Sequence, residues 1–159
     1  MAGVMSFRIK ALPFAPFAPL FELADRDLAA RGILRRIADT SPGFPCRVSL
    51  RDADVGETVL LLNHEHLPAP GPYRSRHAIY VREAAVECTP GINEIPPAIR
   101  IRLLSVRAFD AEAMMLDADV VDGANVELAI DLCFEDRRVV YLHLHHARPG
   151  CFAARVDRA

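Results

Sequence analysis

The sequence contains no tryptophan, only one lysine (Lys10) and no long run of apolar residues. Its apolar runs, such as residues 59–62, are far shorter than the roughly 20 residues that a transmembrane helix needs. The net charge is only −2, and the sequence has neither a basic tail nor a block of like charge. Because there is neither a net nor a clustered positive charge to attract nucleic acid or an anionic membrane, we expect neither as a partner.

Cysteine pairs with the close spacing of a redox or zinc motif are also absent. The four cysteines are widely separated, at Cys46, Cys88, Cys133 and Cys151. The first residues lack the continuous apolar stretch of a secretory signal, because Lys10 and several prolines interrupt it. We therefore expect a cytoplasmic protein with reduced thiols.

Apolar residues make up 52% of the 159 residues. This fraction is too high for a disordered chain and is sufficient for a sizeable core, so we expect residues 1–159 to form one domain. No internal repeat divides the sequence. Its histidines fall into two tight groups and one isolated residue, which are His64 with His66, His143 with His145 and His146, and His77.

Two kinds of hydrophobic pattern predict the secondary structure. Alternating or short apolar segments bounded by turn residues predict strands. These strands cover residues 6–12, 33–38, 58–66, 78–83, 102–109, 114–121 and 139–146. Asp25 and Asp122 are suitable N-caps, each preceding a helical segment. In the second helix, Val126, Ile130 and Phe134 recur at helical spacing.

The order of these elements predicts an α+β domain with a mostly antiparallel, mixed sheet. It has two short-to-medium helices and a C-terminal ββαβ segment. The second helix would cross over in the right-handed sense to a parallel strand. That arrangement places His143 and His145 at the carboxyl end of a parallel strand, the side on which such sheets bind ligands.

The two strands before that helix are expected to form an antiparallel hairpin. Its apolar faces match when Val106 and Ala118 lie on the same side. Asp117 and Asp119 would then lie on the other side, near Arg107. We expect these carboxylates to be solvated partners of arginine.

Five segments carry a resemblance to a known family. They are residues 42–57, beginning with Pro-Gly-Phe-Pro-Cys-Arg, and residues 61–66, 72–74, 107–110 and 145–158. On these segments the chain resembles, over essentially its whole length, the bacterial family called domain of unknown function 1203. That family has no assigned activity, so the resemblance implies no reaction, cofactor or partner. Its members often carry an aromatic residue where this chain has His64.

Both histidine groups lie at the ends of predicted strands. Successive side chains of a strand point to opposite faces of the sheet. His64 and His66 therefore share one face of their strand, and His143 and His145 share one face of theirs. His146 falls on the core-facing side of its strand.

One interpretation of these pairs is a divalent-metal site of the zinc type. The two imidazoles of a His-x-His strand lie within chelating reach, and zinc needs three or four ligands from different elements. His64, His66, His143 and His145 could supply them if the two strand ends meet. The alternative is that these histidines bind backbone or carboxylate groups without a metal.

A second interpretation is a thiol nucleophile. Cys151 follows a Pro-Gly turn, and His143 or His145 could act as its base. Arg47 and Arg155 could supply the positive charge that favours a thiolate. The alternative is that the cysteine is a small buried hydrophobic residue.

The interpretation that we favour is a polar pocket for a small anionic molecule, with or without catalysis. Arginine presents a planar fork to a carboxylate or phosphate, and histidine and tyrosine add donors. Binding groups collect on loops and strand ends. The residues placed there are Arg47, His66, Tyr73, Arg74, His143, His145 and Arg155. The alternative is that the arginines form structural ion pairs.

A non-catalytic interaction module is the remaining possibility. It predicts that the histidine groups lie apart and that residues such as Phe14 and Phe17 form an exposed contact surface. A pocket predicts instead that the two histidine groups face each other. The sequence leaves open which of these holds, and whether the protein is an enzyme.

Overall fold

The computed structural model describes residues 5–159, which form two antiparallel sheets. The larger sheet has five strands in the order β1-β8-β7-β5-β6. These strands are β1 (Phe7–Lys10), β5 (Leu103–Phe109), β6 (Met115–Asp122), β7 (Tyr141–His146) and β8 (Phe152–Arg158). The smaller sheet has the order β2-β3-β4. Its strands are β2 (Leu34–Ile37), β3 (Thr58–Leu67) and β4 (Ser75–Arg82).

Short helices connect these strands. They are α1 (Asp25–Ala30), α2 (Pro97–Arg100) and α3 (Val126–Glu135), with 3-10 helices at Ala18–Glu22 and Gly123–Asn125. α1 and α3 correspond to the two helices that the sequence predicts, and the α+β class is confirmed. Within residues 5–159, no helix combines the length and the apolar composition that crossing a membrane would require.

The strands β6 and β7 that flank α3 lie in one sheet and run in the same direction, because both are antiparallel to β5, but β5 lies between them and they do not pair directly. The elements β5, β6, α3 and β7 follow one another as expected, but β5 lies between β6 and β7 in the sheet. β7 is antiparallel to both of its neighbours, β5 and β8. The sheet is therefore antiparallel rather than mixed. The reason is that β7, the strand that follows α3, pairs with β5 and not with β6. His143 and His145 consequently lie in the central strand of the sheet.

The β5–β6 hairpin differs from the prediction by one position. With Phe109 opposite Met115, a regular ladder would place Val106 opposite Ala118, as expected from the apolar pattern. A bulge at this end of the hairpin adds one residue to β6, so that Ala118 faces Arg107 instead. Asp117 and Asp119 therefore lie on the opposite side of the sheet from Arg107.

The first core lies between the larger sheet and α3. Leu142 and Leu144 of β7 are fully buried in one cluster with Ile130 and Phe134 of α3. Burial of a side chain of this size contributes about 1.5 to 3 kcal/mol. The alternation of β7 thus directs its leucines to α3 and turns His143 and His145 toward the smaller sheet.

The second core lies on the smaller sheet. Phe17 and Phe21 of the proline-rich segment are buried there with Leu60 and Leu62 of β3. Phe14 is half-buried and packs against the same cluster. Because these aromatic rings belong to a core, Phe14 and Phe17 do not form the exposed contact surface that an interaction module would need.

Gly123 is the position at which a methyl group would disrupt the fold most directly. A Cβ atom there would lie 2.2 Å from the carbonyl oxygen of Ile99 and 2.6 Å from that of Arg100. We expect Gly123→Ala to lower the free energy of unfolding by about 3 kcal/mol, since the backbone itself must move. Urea denaturation measures the change. The matched control is Gly71→Ala, where nothing lies within 4 Å; an equal loss in both variants would contradict this explanation.

Candidate functional site

Three of the histidines converge where the two sheets meet. His66 lies near the end of β3, and His143 and His145 lie on β7. One ring nitrogen from each histidine lies within 4.8 Å of the corresponding nitrogens of the other two. His143 and His145 are buried and His66 is half-buried. This histidine cluster brings together residues that are far apart in the sequence, as the pocket interpretation requires.

Phe152 of β8 forms the floor of the cluster. The ring of His66 stacks on Phe152 with centroids 5.2 Å apart and an interplanar angle of 7°. The rings of His143 and His145 meet Phe152 edge-on, at centroid distances of 5.0 and 5.9 Å. The phenylalanine therefore fixes the three imidazoles relative to one another and shields them from water on one side.

A hydrogen bond to a backbone carbonyl group orients the ring of His145. The Nδ1 atom of His145 lies 3.0 Å from the carbonyl oxygen of Gly150, to which it donates, and this leaves the lone pair on Nε2. The Nδ1 atoms of His66 and His143 are buried and have no partner among residues 5–159. A buried polar atom without a partner costs about 1 to 3 kcal/mol. The Nδ1 atoms of His66 and His143 therefore carry this cost in the described part of the chain.

The electrostatic environment keeps the cluster neutral. Burial lowers the pKa of His66 to about 4 and the pKa values of His143 and His145 to about 3. Neighbouring histidines and Arg107 lower these pKa values further, because each would repel an imidazolium ion. At neutral pH the rings are unprotonated, which is the form that binds a metal ion.

Arg107 is a site residue that the sequence reasoning missed. It lies directly opposite His143 in the β5–β7 ladder, and therefore on the same face. Its Nε donates a hydrogen bond to Ser105 Oγ at 3.1 Å, and no carboxylate in the described part of the chain pairs with it. Burial lowers the pKa of its guanidinium group. Arg107 lacks an acidic partner because the bulge in β6 places the expected partners, Asp117 and Asp119, on the other side of the sheet.

His64 does not belong to the histidine cluster, although it shares a predicted strand face with His66. Its ring lies near Phe17 and Phe152, at centroid distances of 6.2 and 6.3 Å. The three histidines whose ring nitrogens converge are His66, His143 and His145, and His64 is not among them although its ring also lies near Phe152. The predicted set of four metal ligands is thereby reduced to three.

Two arginines of the predicted anion pocket pair with carboxylates, although one of them, Arg155, lies directly opposite His143 in the β7–β8 ladder and hence on the same face. Arg74 is exposed and its Nε lies 3.0 Å from Glu65 Oε1. Arg155 lies 2.8 Å from Asp157 Oδ1, and its guanidinium carbon is 4.1 Å from the centroid of the Tyr141 ring. For these two residues the structure matches the ion-pair alternative.

Tyr73 does approach the cluster, through an aromatic contact. Its ring centroid lies 6.1 Å from that of Phe109, and Phe109 in turn lies 5.3 Å from His143. Tyr73 therefore lies two rings away from the cluster, at the side formed by β5 and β7. Its described aromatic contact is with Phe109 and not with a histidine of the cluster.

Arg47 and Cys151 lie outside the cluster, in a cleft of about 830 Å³ beside β4. His146 also lines this cleft. The candidate nucleophile Cys151 therefore shares its surroundings with Arg47 and His146. The two candidate bases, His143 and His145, belong to the histidine cluster, and no hydrogen bond in residues 5–159 joins either one to Cys151. All four cysteines are free.

Comparison with known proteins identifies a family but no relative of known function. No curated protein and no solved structure matches the chain. The model of a family described as protein of unknown function (DUF1203) matches residues 43–158. This range includes β3 to β8, and hence the histidine cluster, Arg107 and the residues of the cleft. Because the match covers most of the chain, the protein belongs to the DUF1203 family, as the sequence resemblance predicts.

Proposed function

We propose that this protein binds a divalent transition-metal ion of the zinc type through His66, His143 and His145. The observation that carries the proposal is the convergence of three ring nitrogens within 4.8 Å of one another. The buried, unpartnered Nδ1 atoms of His66 and His143 support it. Neutral imidazole ligands suit zinc, copper, nickel and iron, whereas magnesium and calcium prefer oxygen ligands.

The hydrogen bonds determine which nitrogens would bind the ion. His145 would coordinate through Nε2, because its Nδ1 donates to the carbonyl oxygen of Gly150. Such an outer contact is typical of metal-binding histidines, since it fixes the tautomer and the ring orientation. Tetrahedral coordination with zinc–nitrogen distances of 2.0 to 2.1 Å brings the nitrogens to about 3.4 Å apart. Small rotations of the His66 and His143 rings would close the remaining distance.

Three protein ligands leave one coordination position open. Catalytic zinc sites have this composition, with water or substrate in the fourth position. Arg107, on the same face as His143 and without an acidic partner in the described chain, supplies a positive charge beside that position. The single open position would hold either a water molecule, which the ion would activate for hydrolysis, or a small carboxylate or phosphate that replaces this water and pairs with Arg107.

The first test is metal binding by the untagged protein after treatment with a chelator. We expect one zinc ion per chain and a rise in melting temperature of about 5 to 10 °C when free zinc exceeds its dissociation constant about 100-fold. Cobalt(II) should give the absorption bands of a nitrogen-bound, four-coordinate ion. Absence of stoichiometric binding together with no thermal shift for zinc, cobalt, nickel and copper would remove the proposal.

A further inference from the structure

We propose that the cleft beside β4 is a second binding site, which takes a carboxylic acid with an apolar body and holds its carboxylate on Arg47. The site is separate from the histidine cluster and needs no metal. The inference rests on three features of the cleft, namely a buried arginine without an acidic partner, an unpartnered histidine nitrogen and a largely apolar wall.

Arg47 is the most deeply buried arginine of the cleft, with 1% of its surface exposed. Its Nε donates to the carbonyl oxygen of Phe152 at 2.7 Å, one terminal nitrogen donates to the carbonyl oxygen of Pro45, and the other donates to Cys151 Sγ at 2.8 Å. These contacts fix the guanidinium plane. None of them is with a carboxylate.

Two other arginines show what is missing at Arg47. Arg102, which also lines the cleft, pairs through both terminal nitrogens with Asp52. Arg82 is buried and pairs with Glu57. Within residues 5–159 no carboxylate contacts Arg47, although a buried charge is costly unless it is paired. The chain thus provides the cation of an ion pair and leaves the anion to a ligand.

The number of free donors matches a carboxylate. A guanidinium group carries five N–H groups, and the three hydrogen bonds of Arg47 leave one on each terminal nitrogen. Two N–H groups of this kind can meet the two oxygens of one carboxylate. A second donor or acceptor is available in the same cleft, because the Nδ1 atom of His146 is buried and has no partner in the described residues.

The remainder of the cleft suits an apolar body. Its volume of about 830 Å³ lies within the range of small-molecule sites. Aliphatic, aromatic and proline side chains form much of its wall, including Leu61, Tyr80, Ile101, Leu103 and Pro149. Arg148, which is exposed and pairs with no carboxylate within residues 5–159, lies on the same lining. The lining includes one carboxylate, that of Asp122, so its arginines outnumber its acidic groups and the local charge favours an anion.

The test uses fluorine NMR with three acids and their neutral amides, namely 4-fluorobenzoate, 4-fluorophenylacetate and 6,6,6-trifluorohexanoate. We expect saturable binding of at least one acid to the full-length protein and no binding of its amide. Arg47→Met, which keeps the apolar stem and removes the charge, should weaken that binding about tenfold or more. Removal of metal by a chelator should leave it unchanged.

A second pair of variants tests the same proposal at exposed positions, so that no buried residue is replaced. Ile101 is 57% exposed on the lining of the cleft, and Ile92 is 55% exposed but does not line it. Ile101→Glu should weaken acid binding about fivefold or more by charge repulsion, whereas Ile92→Glu should leave it unchanged. The proposal is overturned if no acid binds at about 5 mM, if acid and amide bind equally, or if Ile101→Glu has no effect. Tighter binding of 4-fluorophenyl phosphate than of every carboxylate would overturn the assigned ligand class.

Discussion

Replacing His66 with alanine is expected to weaken zinc binding about 100-fold or more, whereas replacing His64 should change it less than about threefold. The reason is that His66 contributes a nitrogen to the histidine cluster and His64 does not. Even the loss of an outer partner of a metal ligand weakens binding 10- to 100-fold, so the loss of a ligand should cost at least as much. Competition with a chromophoric chelator measures both affinities.

The two variants form a matched pair. His64 and His66 lie on the same strand, both are half-buried, and both rings lie against Phe152. A general loss of packing would therefore affect the two variants alike, and thermal unfolding of the metal-free proteins detects such a loss. Equal zinc affinities in both variants would show that the metal is held elsewhere.

Replacing Glu57 with alanine is expected to lower the free energy of unfolding by about 3 to 5 kcal/mol. The Nε of Arg82 lies 3.0 Å from Glu57 Oε2, and its guanidinium group also donates to Ser49 Oγ at 3.1 Å. Only 4% of the Arg82 side chain is exposed, so loss of the carboxylate leaves a buried charge without its partner. Urea denaturation at neutral pH measures the difference.

The control is Glu65→Ala, which breaks an ion pair at the surface. Arg74, the partner of Glu65, is 60% exposed, and such a pair contributes about 1 kcal/mol or less. A loss for Glu65→Ala as large as that for Glu57→Ala would contradict the role given to burial.

Acidic pH should abolish the contribution of Glu57 to the free energy of unfolding. The hydrogen bond from Arg82 lowers the pKa of the Glu57 carboxyl group in the folded protein. A depressed pKa gives stability that is fully present above the unfolded value, about 4.3, and is lost as the pH falls through the folded value. The stability difference between wild type and Glu57→Ala should thus be constant above about pH 5 and shrink below about pH 4.

Local patterns predicted the elements and the faces of the site, but not how the faces meet. The alternation along β7 correctly separated His143 and His145 from the leucines that pack on α3. That His66 meets these two residues depends on the packing of one sheet against the other, which no periodicity within a strand encodes. The same packing leaves the ring of His64 near Phe17 and Phe152 and outside the histidine cluster, although the alternation assigns His64 and His66 to one face.

The arginines also show that local sequence patterns do not predict which groups meet in the folded protein. The sequence placed Arg47 in a polar pocket, but it could not show that the guanidinium group binds the carbonyl oxygen of Phe152, a residue 105 positions away. Arg107 was expected to pair with aspartates of β6, and a single bulge residue removed them. A shift of one residue in a ladder exchanges the two faces of a strand, so an error of this size changes the chemistry of a site while leaving the fold class correct.

The strand that carries this bulge, β6, also affects whether two copies of the protein can associate through their sheets. β6 is the outer strand of the larger sheet, and outer strands present unpaired backbone groups to which another chain can add. The carboxylate of Asp117 accepts from the backbone N–H of Ala118 at 2.9 Å, and that of Asp119 accepts from Val120 at 2.7 Å. The aspartates therefore occupy donors that an incoming strand would require, and their charge would repel an identical edge, so we expect this edge to resist the addition of a strand from another copy.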